Sequence, residues 1–107
     1  FLDSHPGATI ARKQMKRGGG LVTFEIAGGL EQGKRFLDAL KMLSLTANLG
    51  DTRSIATHPA STTHAKLTPE ARAEAGITDG LIRISAGLEH IDDIILDIGQ
   101  ALILSEQ

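Results

Sequence analysis

Two segments of the sequence alternate apolar residues with a period of two, the pattern of a β-strand with one buried face. The first covers residues 21–26. The second covers residues 81–86, where Ile82 and Ile84 fall on one face and Arg83 falls on the other. Such short strands need neighbours to pair with, so the rest of the chain must supply further strands and a cover for the apolar face.

Two more strands are predicted at 44–48 and 54–57, the second ended by Pro59, which cannot donate to a ladder. Helices are predicted within 1–17, over about 31–42, from Thr68 to Gly76, and over 90–103, where Ile91, Ile94, Ile95, Ile98 and Leu102 form an apolar stripe. The order α, β, α, β, β, α, β, α predicts an α+β fold. We expect a small mixed or antiparallel sheet of about four strands with helices packed on one face.

Composition narrows the classes of function. The chain has 107 residues and a net charge of −2, without Trp or Tyr, which disfavours nucleic-acid binding. It contains no Cys, which excludes thiolate nucleophiles, and it contains no apolar run near the roughly 20 residues of a membrane span. We expect a cytoplasmic protein without membrane or nucleic-acid partners. The chain begins at Phe1 rather than Met, and we expect it to be a fragment of a longer protein.

Several chemical motifs have a plain structural interpretation. Residues 28–34 match the start of a phosphate-binding loop, but Arg35 stands where Ser or Thr would hold magnesium, so a strand-to-helix turn is favoured. His58 and His64 lack the spacing of a helical zinc pair, and we expect surface or second-shell histidines and no metal site. The helix at 90–103 carries three aspartates that we expect to be solvated: Asp92, Asp93 and Asp97.

Arg83 stands out because a mid-strand arginine needs a partner. From spacing alone, pairing with a protein carboxylate is the more common explanation, and bidentate capture of a ligand carboxylate is the alternative. A second polar feature is the turn at 48–51, whose backbone N–H groups are able to face a ligand anion or simply close a turn.

Five blocks of the sequence resemble the C-terminal part of the Cys/Met-metabolism family of pyridoxal-phosphate enzymes. They are Ser-His-Pro at 4–6, Gly-Gly-Gly-Leu-Val-Thr-Phe-Glu at 18–25, Ala-Asn-Leu-Gly-Asp at 47–51, His-Pro-Ala-Ser-Thr-Thr-His at 58–64 and Leu-Ile-Arg-Ile-Ser-Ala-Gly-Leu-Glu at 81–89. The resemblance implies the C-terminal domain of a fold-type I pyridoxal-phosphate transferase. Residues 1–20 would be a helical segment leading in from a cofactor domain, and residues 21–107 would be the substrate-carboxylate domain.

The resemblance also implies the site. Arg83 would hold the substrate α-carboxylate, and Asn48 would lie beside it. The Schiff-base lysine would lie outside the chain, so no catalytic and no cofactor-binding residue is assigned here. Pyridoxal phosphate is expected in the intact enzyme, with none bound by this fragment alone, which we expect to be inactive.

Within the family, lyases often carry Glu at the position of Ala47. The form Ala-Asn-Leu-Gly-Asp at 47–51, followed by His58-Pro59 and by Thr62-Thr63-His64, is most similar to the O-acylhomoserine sulfhydrylases. These replace the acyl group of O-acylhomoserine with sulfide to give homocysteine, in methionine biosynthesis, and the intact enzyme is expected to be a homotetramer. A cystathionine γ-synthase, a methionine γ-lyase, a free-standing amino-acid-binding regulatory module and a structural interaction domain stay open. The choice between acetyl and succinyl also stays open.

Overall fold

The computed structural model of the protein describes residues 2–46 and 50–106. Along these ranges the elements are α1 (Ala8–Gln14), β1 (Leu21–Glu25), α2 (Leu30–Ala39), β2 (Ser44–Leu45), β3 (Ile55–Thr57), a 3-10 turn (Pro59–Ser61), α3 (Pro69–Glu74), β4 (Leu81–Ser85) and α4 (Ile91–Ser105). The predicted order of helices and strands is confirmed, and the 3-10 turn is the one addition.

The four strands form one mixed sheet in the order β1-β4-β3-β2. Strand β4 is antiparallel to both β1 and β3, whereas β2 runs parallel to β3. The strand with the strongest alternation in the sequence is therefore an interior strand of the sheet. The predicted fold class, a small mixed sheet of four strands in an α+β domain, is confirmed.

The apolar face of the sheet packs against α2 and α4, as the alternation predicted. Ile82 and Ile84 are 0% and 3% exposed, and Phe36 of α2 is fully buried. Phe24 meets Phe36 edge to face with ring centroids 5.8 Å apart. Burying each such side chain stabilises the fold by about 1.5–3 kcal/mol, so this layer holds the sheet in place.

Local signals set the ends of α3. The Oγ1 atom of Thr68 accepts a hydrogen bond from the backbone N–H of Ala71 at 3.1 Å, as expected for a helix N-cap. Gly76 follows the helix with φ of +78°, the left-handed conformation that glycine adopts without a steric penalty. Both residues act as the sequence predicted.

The apolar stripe of α4 is divided between two environments. Ile94 is buried against the core, but Ile91 and Ile95 are 59% and 60% exposed. The exposed part borders an apolar groove to which β1 contributes Val22 and Phe24. The buried face of α4 therefore differs from the predicted stripe. Asp97 lies on the buried face together with Ile94, whereas Ile91 and Ile95 lie outside it.

Helix α4, at 15 residues, is the longest helix in the described ranges. Across 2–46 and 50–106 no helix combines the length and the apolar character that a membrane crossing requires.

Candidate functional site

Arg83 lies at the middle of β4, on the sheet face that points away from α2 and α4. Its register partners are Thr23 on β1 and Thr57 on β3, so a threonine flanks it on each side. Arg83 is half-buried, and Thr57 is 4% exposed. A guanidinium on this face has the planar, charged fork that pairs with a carboxylate.

The hydroxyl of Thr57 is already committed, because it donates to the carbonyl oxygen of Thr46 at 2.6 Å. This bond ties β3 to the stretch that follows β2, close to the start of the predicted anion-facing turn. The hydroxyl of one of the two threonines beside Arg83 is therefore fixed by a backbone partner.

The predicted partner of Arg83, Asn48, lies outside the described residues. The structure does describe the next part of the same turn, where the N–H of Gly50 donates to the Oγ of Ser85 at 3.3 Å. Ser85 lies two residues after Arg83 on the same face of β4. The end of the turn is thus bonded to the strand that carries the arginine.

An open hollow of about 560 Å³ lies at this junction. Its lining consists of Met15, Gly18, Gly19, Gly20, Leu21, Gly50, Ser85 and Ala86. Because the glycines carry no side chains, the hollow is floored largely by backbone and borders the strand of Arg83. Of its lining, Ser85 ends the strand that carries Arg83 and Ala86 directly follows it.

Glu89 bonds the segment after β4 to the segment before β3, a contact that the sequence alone did not reveal. Its carboxylate accepts from the backbone N–H of Ser54 at 2.8 Å and from the Ser54 hydroxyl at 2.7 Å. The N–H of Ser54 and then its hydroxyl lower the pKa of Glu89 below the ordinary range. The one signal for this role in the sequence was a lone acid in the short stretch between β4 and α4.

A family model described as "Cys/Met metabolism PLP-dependent enzyme" matches residues 1–103. The chain belongs to this family.

Relatives in the family carry different activities in their names. The chain is 54% identical over 101 residues to an L-methionine gamma-lyase of Fusobacterium nucleatum subsp. polymorphum, covering 94% of the chain and 26% of that protein. It is 52% identical over 103 residues to an O-acetyl-L-homoserine sulfhydrylase of Leptospira meyeri, covering 94% of the chain and 23% of that protein. The chain therefore spans about a quarter of the length of these relatives.

A solved structure supports the fold. The cystathionine gamma synthase of Xanthomonas oryzae pv. oryzae, in complex with cystathionine, superimposes with a TM-score of 0.85 at 43% identity. The match covers 98% of this chain and 27% of that one. Family membership is thus shown by sequence and by structure, whereas the particular activity of the member is not settled by either.

The described residues of this Cys/Met-family chain do not fit a pyridoxal-phosphate pocket. Each lysine in the described ranges is exposed. Only the cleft beside α2 brings a lysine, Lys34, together with a carboxylate, Asp38, among the pockets described. These two stand side by side on adjacent turns, whereas the aldehyde carbon and the nitrogen of the pyridoxal ring lie on opposite sides of it.

Asp97 corrects the expectation that the aspartates of α4 are solvated. It is 6% exposed, and its carboxylate accepts from the backbone N–H groups of Lys41, Met42 and Leu43 at 2.8–3.0 Å. Burial raises its pKa, but these three donors and the amide of Gln100 outweigh burial, so the pKa is lowered. Asp92 and Asp93 are exposed in the first turn, as predicted.

His58 corrects the expectation of a surface histidine, since it is fully buried. Its Nε2 lies 2.5 Å from the carbonyl oxygen of Asp79, and its Nδ1 lies 2.8 Å from the Ser61 hydroxyl. A carbonyl only accepts, so Nε2 carries the proton and Nδ1 accepts from Ser61. The ring joins β3 to the segment before β4 and has a structural role.

The other motifs behave as local structure. Residues 28–34 contain the end of the turn from β1, with φ of +104° at Gly28 and +79° at Gly29, and the first five residues of α2, so the preference for a strand-to-helix turn is confirmed. Among the residues that the structure describes, no three or more His, Asp or Glu side chains are arranged to hold a metal ion.

Proposed function

We propose that this chain is the substrate-carboxylate part of a pyridoxal-phosphate-dependent O-acylhomoserine sulfhydrylase, with Arg83 as the principal contact and Asn48 beside it. One observation carries the proposal: Arg83 lies on the face of an interior strand that points away from α2 and α4, and Ser85 bonds that strand to Gly50, two residues beyond Asn48. A carboxylate held between an arginine and a turn requires a fixed distance between them, and the Gly50 to Ser85 hydrogen bond fixes that distance in this proposal.

The reaction replaces the γ-acyloxy group of O-acylhomoserine with sulfide: the Cγ–O bond breaks, a C–S bond forms, and homocysteine and the free carboxylic acid result. When bound, pyridoxal phosphate supplies the electron sink for proton removal from the substrate's carbon chain. In this proposal the cofactor is held by polypeptide outside the 107 residues. The guanidinium of Arg83 makes two parallel hydrogen bonds to the α-carboxylate and thereby orients the Cα–H bond for removal.

The choice of a sulfhydrylase rests on the sequence of the turn. Ala47 stands where lyases often carry Glu, and the run Ala-Asn-Leu-Gly-Asp is typical of the sulfhydrylases. The relative from Leptospira meyeri, at 52% identity, agrees with this choice. The second candidate is a methionine γ-lyase, favoured by the relative from Fusobacterium nucleatum at 54% identity.

Exposed apolar residues support a larger parent protein. Leu88, Leu96 and Ile103 are 84%, 72% and 63% exposed. Apolar surface of this kind is usual where further polypeptide packs. In the proposed organisation residues 1–20 lead in from the cofactor domain, residues 21–107 form the carboxylate domain, and the whole enzyme is a cytoplasmic homotetramer.

Product analysis of the full-length enzyme tests the proposal. The enzyme is given O-acetylhomoserine or O-succinylhomoserine with sulfide, the same esters with cysteine, and methionine alone. Homocysteine from an ester and sulfide, at a higher kcat/KM than any other product, is the expected result. Cystathionine as the preferred product would identify a γ-synthase. A keto acid and a thiol from methionine alone would identify the γ-lyase, and no reaction in any mixture would reject all three.

A separate measurement addresses the free-standing module. The 107-residue chain alone should neither bind an amino acid measurably nor turn one over, because it holds only one side of the proposed site. Calorimetric binding of an amino acid at micromolar concentration by the isolated chain would favour a regulatory module instead.

A further inference from the structure

We propose that Glu89 is a positioning residue for the substrate carboxylate. Through Ser54 it holds the segment that follows the Asn48 turn against the strand that carries Arg83. The inference rests on the proposed function, because it concerns the same carboxylate site.

The contacts form a closed network. Glu89 accepts from both the N–H and the hydroxyl of Ser54, at 2.8 and 2.7 Å. The Ser54 oxygen in turn accepts from the N–H of Gly87 at 2.9 Å. One serine therefore connects the segment before β3 to two points after β4, and its hydroxyl uses its donor and one acceptor position at the same time.

The backbone at Gly87 also lies in direct contact with the backbone of residues 52–54. A Cβ added at Gly87 would lie 2.4 Å from the carbonyl oxygen of Thr52 and 2.5 Å from the backbone nitrogen of Ser54. No side chain fits there, since real Cβ atoms do not approach so closely. The N–H of Leu88 further donates to the carbonyl of Thr52 at 2.8 Å. The crossing is tight enough to fix the relative position of both segments.

The contact between these two segments lies close in the chain to both proposed carboxylate-binding residues. Ser54 follows Asn48 by six residues and Glu89 follows Arg83 by six residues. Nearer to the site, the Gly50 to Ser85 bond joins the same two segments. The turn segment and the strand of Arg83 are thus joined by two sets of hydrogen bonds. Gly50 bonds to Ser85 nearer to the site, and Ser54 bonds to Glu89 and Gly87 further from it. Losing the Glu89 carboxylate leaves the Gly87 to Ser54 bond, the Leu88 to Thr52 bond and the long 3.3 Å Gly50 to Ser85 contact to fix their separation, without the two bonds that hold Ser54 from the Glu89 side.

The test compares two ligands that differ only in the carboxylate. L-homoserine carries the carboxylate that Arg83 would hold, and 3-aminopropan-1-ol is the same molecule without it. Dissociation constants are measured by calorimetry with the full-length enzyme, for wild type, Glu89→Ala and Glu89→Gln. Glu74→Gln, an exposed glutamate of α3, is the matched control.

We expect Glu89→Ala to weaken homoserine binding about 10-fold while the amine changes less than about 2-fold. Glu89→Gln keeps one carbonyl oxygen as an acceptor for Ser54, so it should recover part of the loss. Glu74→Gln should bind both ligands as wild type does. Equal weakening of both ligands by Glu89→Ala would show a general structural role and overturn the proposal, as would no weakening of either.

A double-mutant cycle supplies a second readout. In an Arg83→Ala background, Glu89→Ala should cause no further loss of homoserine affinity, because the separation of the turn from the guanidinium no longer affects the carboxylate once the guanidinium is absent. Additive losses would reject the proposal. If Glu89→Ala does not fold, Ser54→Ala decides in the same cycle, since it removes only the hydroxyl that links Glu89 to Gly87.

The two failures are distinguishable. If Arg83→Ala leaves homoserine binding unchanged, the carboxylate site of the proposed function is wrong. If Arg83→Ala weakens binding and neither Glu89→Ala nor Ser54→Ala does so, only the positioning role of Glu89 is wrong.

Discussion

Gly33 and His58 lie so close together that only a hydrogen atom fits between the helix backbone and the imidazole ring. A Cβ added at Gly33 would stand 2.5 Å from Nε2 and 2.7 Å from Cε1 of His58. Glycine lowers the stability of a helix interior, but no larger residue leaves room for the ring at this position of α2. Both ring nitrogens are hydrogen-bonded, so the ring cannot move away from the helix without breaking one of these bonds.

We predict that Gly33→Ala destabilises the protein by about 1–3 kcal/mol, because the new methyl group forces the buried ring from its two partners. The matched control is Gly99→Ala in α4, where an added Cβ meets nothing within 4 Å. That change should stabilise the protein by about 0.4–1 kcal/mol through the higher helix propensity of alanine. Urea unfolding of both variants measures the difference, and similar effects at the two glycines would contradict the steric explanation.

Arg83→Ala in the full-length enzyme should lower kcat/KM for O-acylhomoserine by about 2–4 kcal/mol in transition-state free energy, because a charge-assisted bidentate pair is lost. Arg83→Lys should recover only part of this, since lysine keeps the charge but lacks the planar fork. Steady-state kinetics with the acyl ester and sulfide measure both variants. Arg17→Ala, an exposed arginine before β1, serves as the control, and wild-type kinetics for Arg83→Ala would show that the carboxylate binds elsewhere.

Asp97→Asn should destabilise the protein by about 1–3 kcal/mol at pH 7, since one amide oxygen and an added N–H group face three backbone donors. The folded-state pKa of Asp97 is lower than the unfolded value of about 3.9, so the ionised form stabilises the fold. That contribution is complete above about pH 4 and is lost as the pH falls through the folded-state pKa.

The difference in unfolding free energy between wild type and Asp97→Asn should therefore shrink in acid. Urea unfolding at pH 7 and at about pH 3 measures it. Asp93→Asn, in the exposed first turn of the same helix, should change stability by less than about 1 kcal/mol. A wild-type advantage over Asp97→Asn that persisted unchanged at the lower pH would contradict the assignment of an ionised clamp.

Features that depend on near neighbours in the sequence were predictable. The alternation about Arg83 placed the strand and its buried face, and Thr68 and Gly76 placed the ends of a helix. Asp97 was not predictable from its helix, because its three backbone partners lie 54–56 residues away. The burial of His58 likewise depends on Asp79, 21 residues distant, and on the glycine that makes room for it.

The candidate site shows the same division. Spacing identified Arg83 as a residue that needs a partner, but it did not favour a ligand over a protein carboxylate. The resemblance to a family supplied the ligand, and the structure added the two threonines that flank the arginine and the bond from Gly50 to Ser85. Glu89 and Ser54 are 35 residues apart, and no local pattern in the sequence indicates that the two are bonded.

Strand β4 has a consequence for the order in which the protein folds. Leu21 pairs with Ser85, so β1 has no partner among the described strands until residues 81–85 have been synthesised. Before β4 is made, the only strand pairing among the described residues is the two-residue contact between β2 and β3. Closing so long a loop is slow and entropically costly. The sheet and the arginine's position on it therefore come into existence in the same late step, and a chain that stops short of residue 81 has neither.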